Sequence, residues 1–157
     1  MTVCTVALAV VLNTDDAARP ASTPSAQIAQ TPSAPTVTGM MAVLSDAAAQ
    51  PTMLVSWPMQ AGNDGRIELR VRIIMDHPMM DPNTSWQLWS MPADAGGVPR
   101  AVGLVGLERE QILSVDASML KTLLEASGMG LSNEPPGGSP TGLPTGPMIF
   151  RGPSLTI

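Results

Sequence analysis

Residues 133–152 read NEPPGGSPTGLPTGPMIFRG, and the fold turns on how this stretch is read. It is too rich in proline and glycine to be helix. Glu134-Pro135 ends a preceding strand, because a residue before proline is pushed out of the helical region and proline has no N–H for a sheet ladder. Gly137-Gly138 permits the positive φ of a sharp reversal. Pro144-Thr145-Gly146-Pro147 supplies a second turn, and Met148-Ile149-Phe150 returns as an apolar, β-prone run. The reading is strand, stiff two-turn loop, strand. Glu134 is a lone carboxylate within this stretch, so its expected role is to accept hydrogen bonds from turn N–H groups.

Outward from this loop, short runs at 40–45, 53–59, 66–74, 86–91, 101–107 and 129–133 are separated by Asp, Pro, Gly and Asn. Ile67, Leu69, Val71 and Ile73 alternate with Arg66, Glu68, Arg70 and Arg72. That period of two describes an antiparallel strand with one buried and one solvated face. Gly62-Asn63-Asp64-Gly65 joins it to the strand before as a hairpin, and 86–91 pairs with 101–107 across 93–99. One short helix is expected near 117–127: Asp116 caps it, Met119, Leu120, Leu123 and Leu124 form its stripe, and Gly128 ends it. The predicted class is mainly β, an antiparallel β-sandwich with one short helix, spanning 39–157.

Composition narrows the function. Charged residues make up only 13% of the 157, and the net charge is −5 with 8 Lys+Arg. A nucleic-acid binder needs a basic face to neutralise phosphates, so no nucleic-acid partner is expected. A lone Cys4 provides neither a disulfide nor a metal framework. Ser, His77 and Asp side chains are all available, but no nucleophile elbow or oxyanion motif accompanies them, so no catalytic residue is assigned and no enzyme is predicted. Met75, Met79 and Met80 flank His77, and thioethers with imidazole suit Cu(I). The chain carries 12 Met in all, however, and Met commonly fills cores. No metal or cofactor is therefore assigned. Trp57, Trp86 and Trp89 are expected as core-filling side chains. Trp86 and Trp89, three apart on a strand, face opposite sides, which allows one of them to be exposed.

Residues 13–38 repeat Pro, Ala, Ser and Thr (ARPASTPSAQIAQTPSAPT). They offer too little apolar surface to offset the entropy of ordering, and so read as a disordered, semi-stiff linker. Residues 1–12 (MTVCTVALAVVL) are apolar and uncharged. They are shorter than the ~20 residues of a membrane span and lack the basic start of a signal peptide.

Two motifs together resemble the extracytoplasmic C-terminal domain of the anti-sigma-K factor family. One is Glu134-Pro135-Pro136-Gly137-Gly138-Ser139-Pro140 with Pro144-Thr145-Gly146-Pro147 and an apolar strand after it. The other is Trp86-Gln87-Leu88-Trp89, followed by a Gly-containing turn and a strand ending in Val102-Gly103. Trp86 stands where the family more often has tyrosine, and the loop between Ser139 and Pro144 is longer than usual. The resemblance covers roughly residues 40–157 and marks Trp86, Leu88, Trp89, Glu134, Pro135, Gly137, Gly138, Ser139, Pro144, Thr145, Gly146 and Pro147 as its structural signature. It implies a single-pass membrane protein whose outer β-domain takes part in signalling. Stepwise proteolysis then releases an extracytoplasmic-function sigma factor, so that transcription is negatively regulated. On this reading 1–12 is the outer end of a transmembrane helix. The sigma factor is met by a cytoplasmic domain outside these residues, and the partners of this domain are periplasmic proteins or proteases. Two rival readings are a secreted or surface-tethered β-sandwich binding module and a Met-rich periplasmic metal-binding protein using the His77 loop.

Overall fold

A computed structural model of the protein describes residues 38–157. The predicted membrane segment at 1–12 and nearly all of the linker at 13–38 lie outside the described residues. The strand predicted from alternation sets the pattern for the rest. β3 (Arg66–Ile73) buries every second residue, with its arginines and Glu68 outside. It pairs antiparallel with β2 (Pro51–Pro58), which pairs with β1 (Gly39–Ser45). β4 (Ser85–Met91) and β5 (Arg100–Val105) form the second expected hairpin. β7 (Gly128–Glu134) and β8 (Met148–Thr156) flank the Pro/Gly loop and pair with each other.

The class is mainly β and antiparallel, as the sequence predicts. The layers belong to one sheet with strand order β5-β4-β7-β8-β1-β2-β3-β6. It curls until its edge strands approach: a Cβ on Gly103 of β5 would lie 3.5 Å from Leu113 of β6, and the barrel is nearly closed. At this seam the Gln111 amide replaces strand pairing. Its Oε1 accepts from Gly106 N at 2.9 Å and its Nε2 donates to Gly106 O at 3.2 Å.

Inside lies a single apolar core fed by alternate residues of the strands, among them Leu44, Val55, Leu69, Trp86, Leu88 and Leu131. The helix contributes Leu123 to it. Asp116 caps as expected, its Oδ1 accepting from Ser118 N at 2.8 Å. A 3-10 turn over Ala117–Met119 then runs into α1 (Leu120–Leu124). The helix ends earlier than predicted, because Ser127 N bonds Met91 O at 3.0 Å and draws the chain toward the sheet. Gly128 thus opens β7 and does not cap the helix.

Two features escaped the sequence reading. β6 (Glu110–Asp116) is an edge strand with a single neighbour, β3. Its half-buried side carries Gln111 and its exposed side carries Ile112, which blurs the alternation. β8 also continues past Phe150 through Gly152-Pro153, although proline is unfavourable in a central strand. The β1–β8 ladder is interrupted there, passing from Ala42↔Ser154 to Ser45↔Arg151. Gly152 lies so close to the Val43 carbonyl that no side chain would fit.

Candidate functional site

The residues singled out by sequence divide between the two faces of β4. Trp86 and Leu88 point into the core, where Trp86 meets Phe150 of β8 edge-on with centroids 5.8 Å apart and planes at 82°. Ser85, Gln87 and Trp89 point the other way, at period two. Each binds either the loop or a residue leading into it. Ser85 Oγ accepts from Gly137 N at 3.0 Å and Gln87 Oε1 accepts from Ser139 N at 2.6 Å. Trp89 Nε1 donates to Ser132 Oγ of β7 at 2.8 Å. Neither Trp86 nor Trp89 is exposed (2% and 0%). The outward tryptophan is fully buried, with its indole N–H engaged by β7.

Ser132 passes the connection on, its hydroxyl donating to Glu134 Oε1 at 2.5 Å. The Glu134 side chain is 1% exposed, and a carboxylate at that depth needs donors. It receives Thr145 N at 3.1 Å, Gly146 N at 3.2 Å and the Thr145 hydroxyl. Burial alone would raise its pKa. The hydrogen bonds from Ser132, Thr145 and Gly146 together outweigh burial and hold it below its ordinary value. The turn amides expected to bind this glutamate are those of Thr145 and Gly146, eleven and twelve residues away. A carboxylate so fully engaged is an anchor and has no free lone pair aimed at a substrate.

The loop's own turns match their glycines. Gly137, Gly138 and Gly142 adopt φ of 87°, 97° and 75°. Gly138 N bonds Pro135 O at 2.9 Å, closing the first turn, and Asn133 N bonds Pro147 O at 3.0 Å at the loop's base. Ser139 and Thr141 hydroxyls both donate to Leu143 O. A chain of hydrogen bonds thus runs from Trp89 through Ser132 and Glu134 to Thr145 and Gly146. It joins the two sequence motifs across three segments.

A family model described as "Anti-sigma-K factor rskA, C-terminal" matches residues 1–148. The chain belongs to the anti-sigma-K factor family. The family is regulatory and non-enzymatic, and its partner class is a sigma factor. No curated protein and no solved structure matches the chain.

Of the signature, Trp89, Glu134, Thr145 and Gly146 converge in one network, while Gly137, Gly138 and Ser139 contact the outward face of β4. Trp86 and Leu88 belong to the core. Pro135 and Pro147 contribute carbonyls, and Pro144 is half-buried with no polar role. Sequence reasoning passed over Ser132 altogether and gave no role to Ser85 and Gln87. The signal was the spacing of Ser85, Gln87 and Trp89, which puts three hydrogen-bonding side chains on one strand face. His77 is exposed in the segment between β3 and β4. Of its neighbouring methionines, Met75 and Met80 pack on the core while Met79 is 86% exposed. Among the described residues no three His, Cys, Asp or Glu side chains gather about a common point, and no helix is long and apolar enough to cross a membrane.

Proposed function

We propose that residues 39–157 are the extracytoplasmic regulatory domain of a single-pass, membrane-bound anti-sigma factor. Residues 1–12 are the outer end of its membrane helix, and residues 13–38 are the spacer. The sigma factor is held by a cytoplasmic part of the same protein, and regulated proteolysis releases it. Family membership supports the regulatory role. The apolar start and the Pro/Ala/Ser/Thr composition of 13–38 support the topology.

The observation that carries the reading is the buried chain from Trp89 through Ser132 and Glu134 to Thr145 and Gly146. It commits Ser132 and Glu134, the two most deeply buried polar side chains among the described residues, to holding a loop shut. A domain of this kind acts by being folded or unfolded. While the loop is seated the domain resists cleavage, and a signal that unseats it exposes the chain to proteases.

The test uses the full-length protein in its own cell, with a reporter for the cognate sigma factor and an immunoblot of the anti-sigma factor. Deletion of 39–157, or Glu134→Ala, is expected to alter reporter output together with the length of the anti-sigma protein. Reporter output and protein length both unchanged by the deletion would overturn the proposal.

A further inference from the structure

The outward face of the curled sheet has two halves, and the loop covers only the half over β4 and β7. Over β4 and β7 lie residues 135–147. Across the other half, one cross-strand row runs Leu155, Met41, Ser56, Arg70 and Ile112, from β8 through β1, β2 and β3 to β6. Leu155 and Ile112, at its ends, are 54% and 55% exposed. Half-buried Val43 and Leu54 stand in the next row. The apolar side chains thus lie on either side of a polar centre made by Ser56 and Arg70.

An arginine stands in the middle. Three of the chain's eight Lys+Arg, namely Arg66, Arg70 and Arg72, share the outward face of β3. Two are engaged. Arg72 pairs with Glu110 at 2.6 Å, and Arg66 donates to Ser114 Oγ at 2.8 Å and to Ser114 O at 2.9 Å. Arg70 has no hydrogen-bond or ion-pair partner among the described residues, and Glu68 beside it does not pair with it. Arg70 and Ser56 separate two depressions. One, of about 360 Å³, is bordered by Leu54 and Ile112 with the Arg72–Glu110 pair at its edge; the other, of about 330 Å³, by Met40, Trp57 and Pro58 with Glu68 at its edge.

We propose that this face binds an extended segment of a partner polypeptide in which a carboxylate side chain is flanked by apolar ones. The forked guanidinium of Arg70 takes the carboxylate, with the Ser56 hydroxyl beside it. The depressions on either side take the apolar neighbours, an arrangement of apolar contact around a central arginine that interfaces favour. An extended strand presents residues i, i+2 and i+4 on one side, so an apolar–acidic–apolar alternation fits. A second copy of this chain fits less well. Of the face's three carboxylates, Glu110 is taken by Arg72 and Asp116 by the Ser118 amide, and Glu68 is flanked on its strand face by Arg66 and Arg70 in place of apolar side chains. The inference does not depend on sigma control.

The experiment is an amide NMR titration of the ¹⁵N-labelled chain with the capped peptide acetyl-Leu-Ser-Glu-Ser-Leu-amide and its Glu→Gln counterpart. Saturable shifts are expected at Ser56, Arg70 and Ile112. Binding should be at least tenfold weaker for the Gln peptide and for Arg70→Gln, the loss of one charge-assisted contact. Arg70→Gln should melt with the wild type, since its side chain is exposed and unpaired. Four outcomes overturn the proposal. The first is no saturable shift with either peptide, and the second is equal binding by Arg70→Gln or by the Gln peptide. The third is that sodium acetate alone reproduces the shifts, which marks a simple anion site. In the fourth, dilution without peptide moves the same amides, which marks self-association.

Discussion

The indole N–H of Trp89 lies 2.8 Å from the hydroxyl of Ser132, and both side chains are fully buried. Ser132 is also the donor to Glu134, so one hydroxyl satisfies two buried polar groups at once. Removing it strands both. A buried donor left without its acceptor costs about 1–3 kcal/mol, and here the carboxylate loses a bond as well. Ser132→Ala is expected to destabilise the domain by about 2–3 kcal/mol on that scale. Urea unfolding checks this: the midpoint should fall while the slope with denaturant stays constant.

Glu134 adds a pH dependence whose sign follows from its environment. Its folded-state pKa lies below the ordinary value of 4.5, so at mildly acidic pH the unfolded chain binds the proton more readily than the folded one. The stabilisation is complete above the unfolded pKa and is lost as pH falls through the lower, folded value. Asp116, held below its ordinary value first by the Ser118 amide, acts in the same direction, but it is exposed and screened. Thermal melts from pH 7 down to pH 3 should therefore show the wild type losing stability more steeply than Glu134→Gln below about pH 4.5. Parallel curves for the two proteins would show that Glu134 is not the titrating anchor.

Where one side chain faced water and the next faced the core, the fold was legible in the sequence. Arg66 to Ile73 could be read residue by residue, because half-burial writes period two directly into the chain. The Pro/Gly loop was legible as two turns for a similarly local reason: Gly137 and Gly138 are needed for φ of 87° and 97°. What the loop rests on was not legible. Its contacts on Ser85 and Gln87 join residues 52 positions apart, and nothing local distinguishes a serine that bonds a distant amide from one that faces solvent. The course of β8 through Gly152-Pro153 was hidden because local rules argue for a strand end there, and the β1–β8 ladder yields to the proline instead.

The positive φ at Gly137 and Gly138 sets a conformational cost for any side chain. Valine at either position should cost on the order of 1–3 kcal/mol per strained residue. The two are not equal. A Cβ at Gly137 meets nothing within 4 Å, whereas one at Gly138 would lie 2.8 Å from Gln87 Oε1 and 3.0 Å from Leu104 Cδ2. Gly138→Val is therefore expected to lower Tm more than Gly137→Val. Both should lower it more than His77→Ala or Asp81→Ala, whose side chains are exposed. Differential scanning calorimetry of the four variants gives the order, and valine mutants melting like the wild type would make the loop a free surface segment.

A last prediction separates backbone angle from backbone contact, the two reasons a loop keeps glycine. Gly137 stands in open space and needs its glycine only for φ. Gly146 is the opposite case, because its φ is ordinary but its α-carbon is pressed against β7. A Cβ there would fall on the carbonyl oxygen of Asn133. That oxygen is backbone and cannot rotate away, so either the strand or the loop must move. Moving the loop breaks the bond from Gly146 N to Glu134, and the Asn133–Pro147 pairing at the loop's base goes with it. Gly137→Ala should cost about 1–2 kcal/mol, the penalty for an L-residue in the left-handed region. Gly146→Ala should cost at least about 3 kcal/mol, in the range where packing clash and a broken polar network combine. Glu134→Ala should then partly mask it, since the two changes damage one network and their effects should not add. A double-mutant cycle by urea unfolding measures the coupling. Strict additivity, or a Gly146→Ala protein as stable as Gly137→Ala, would mean that the loop does not sit on β7 through Glu134.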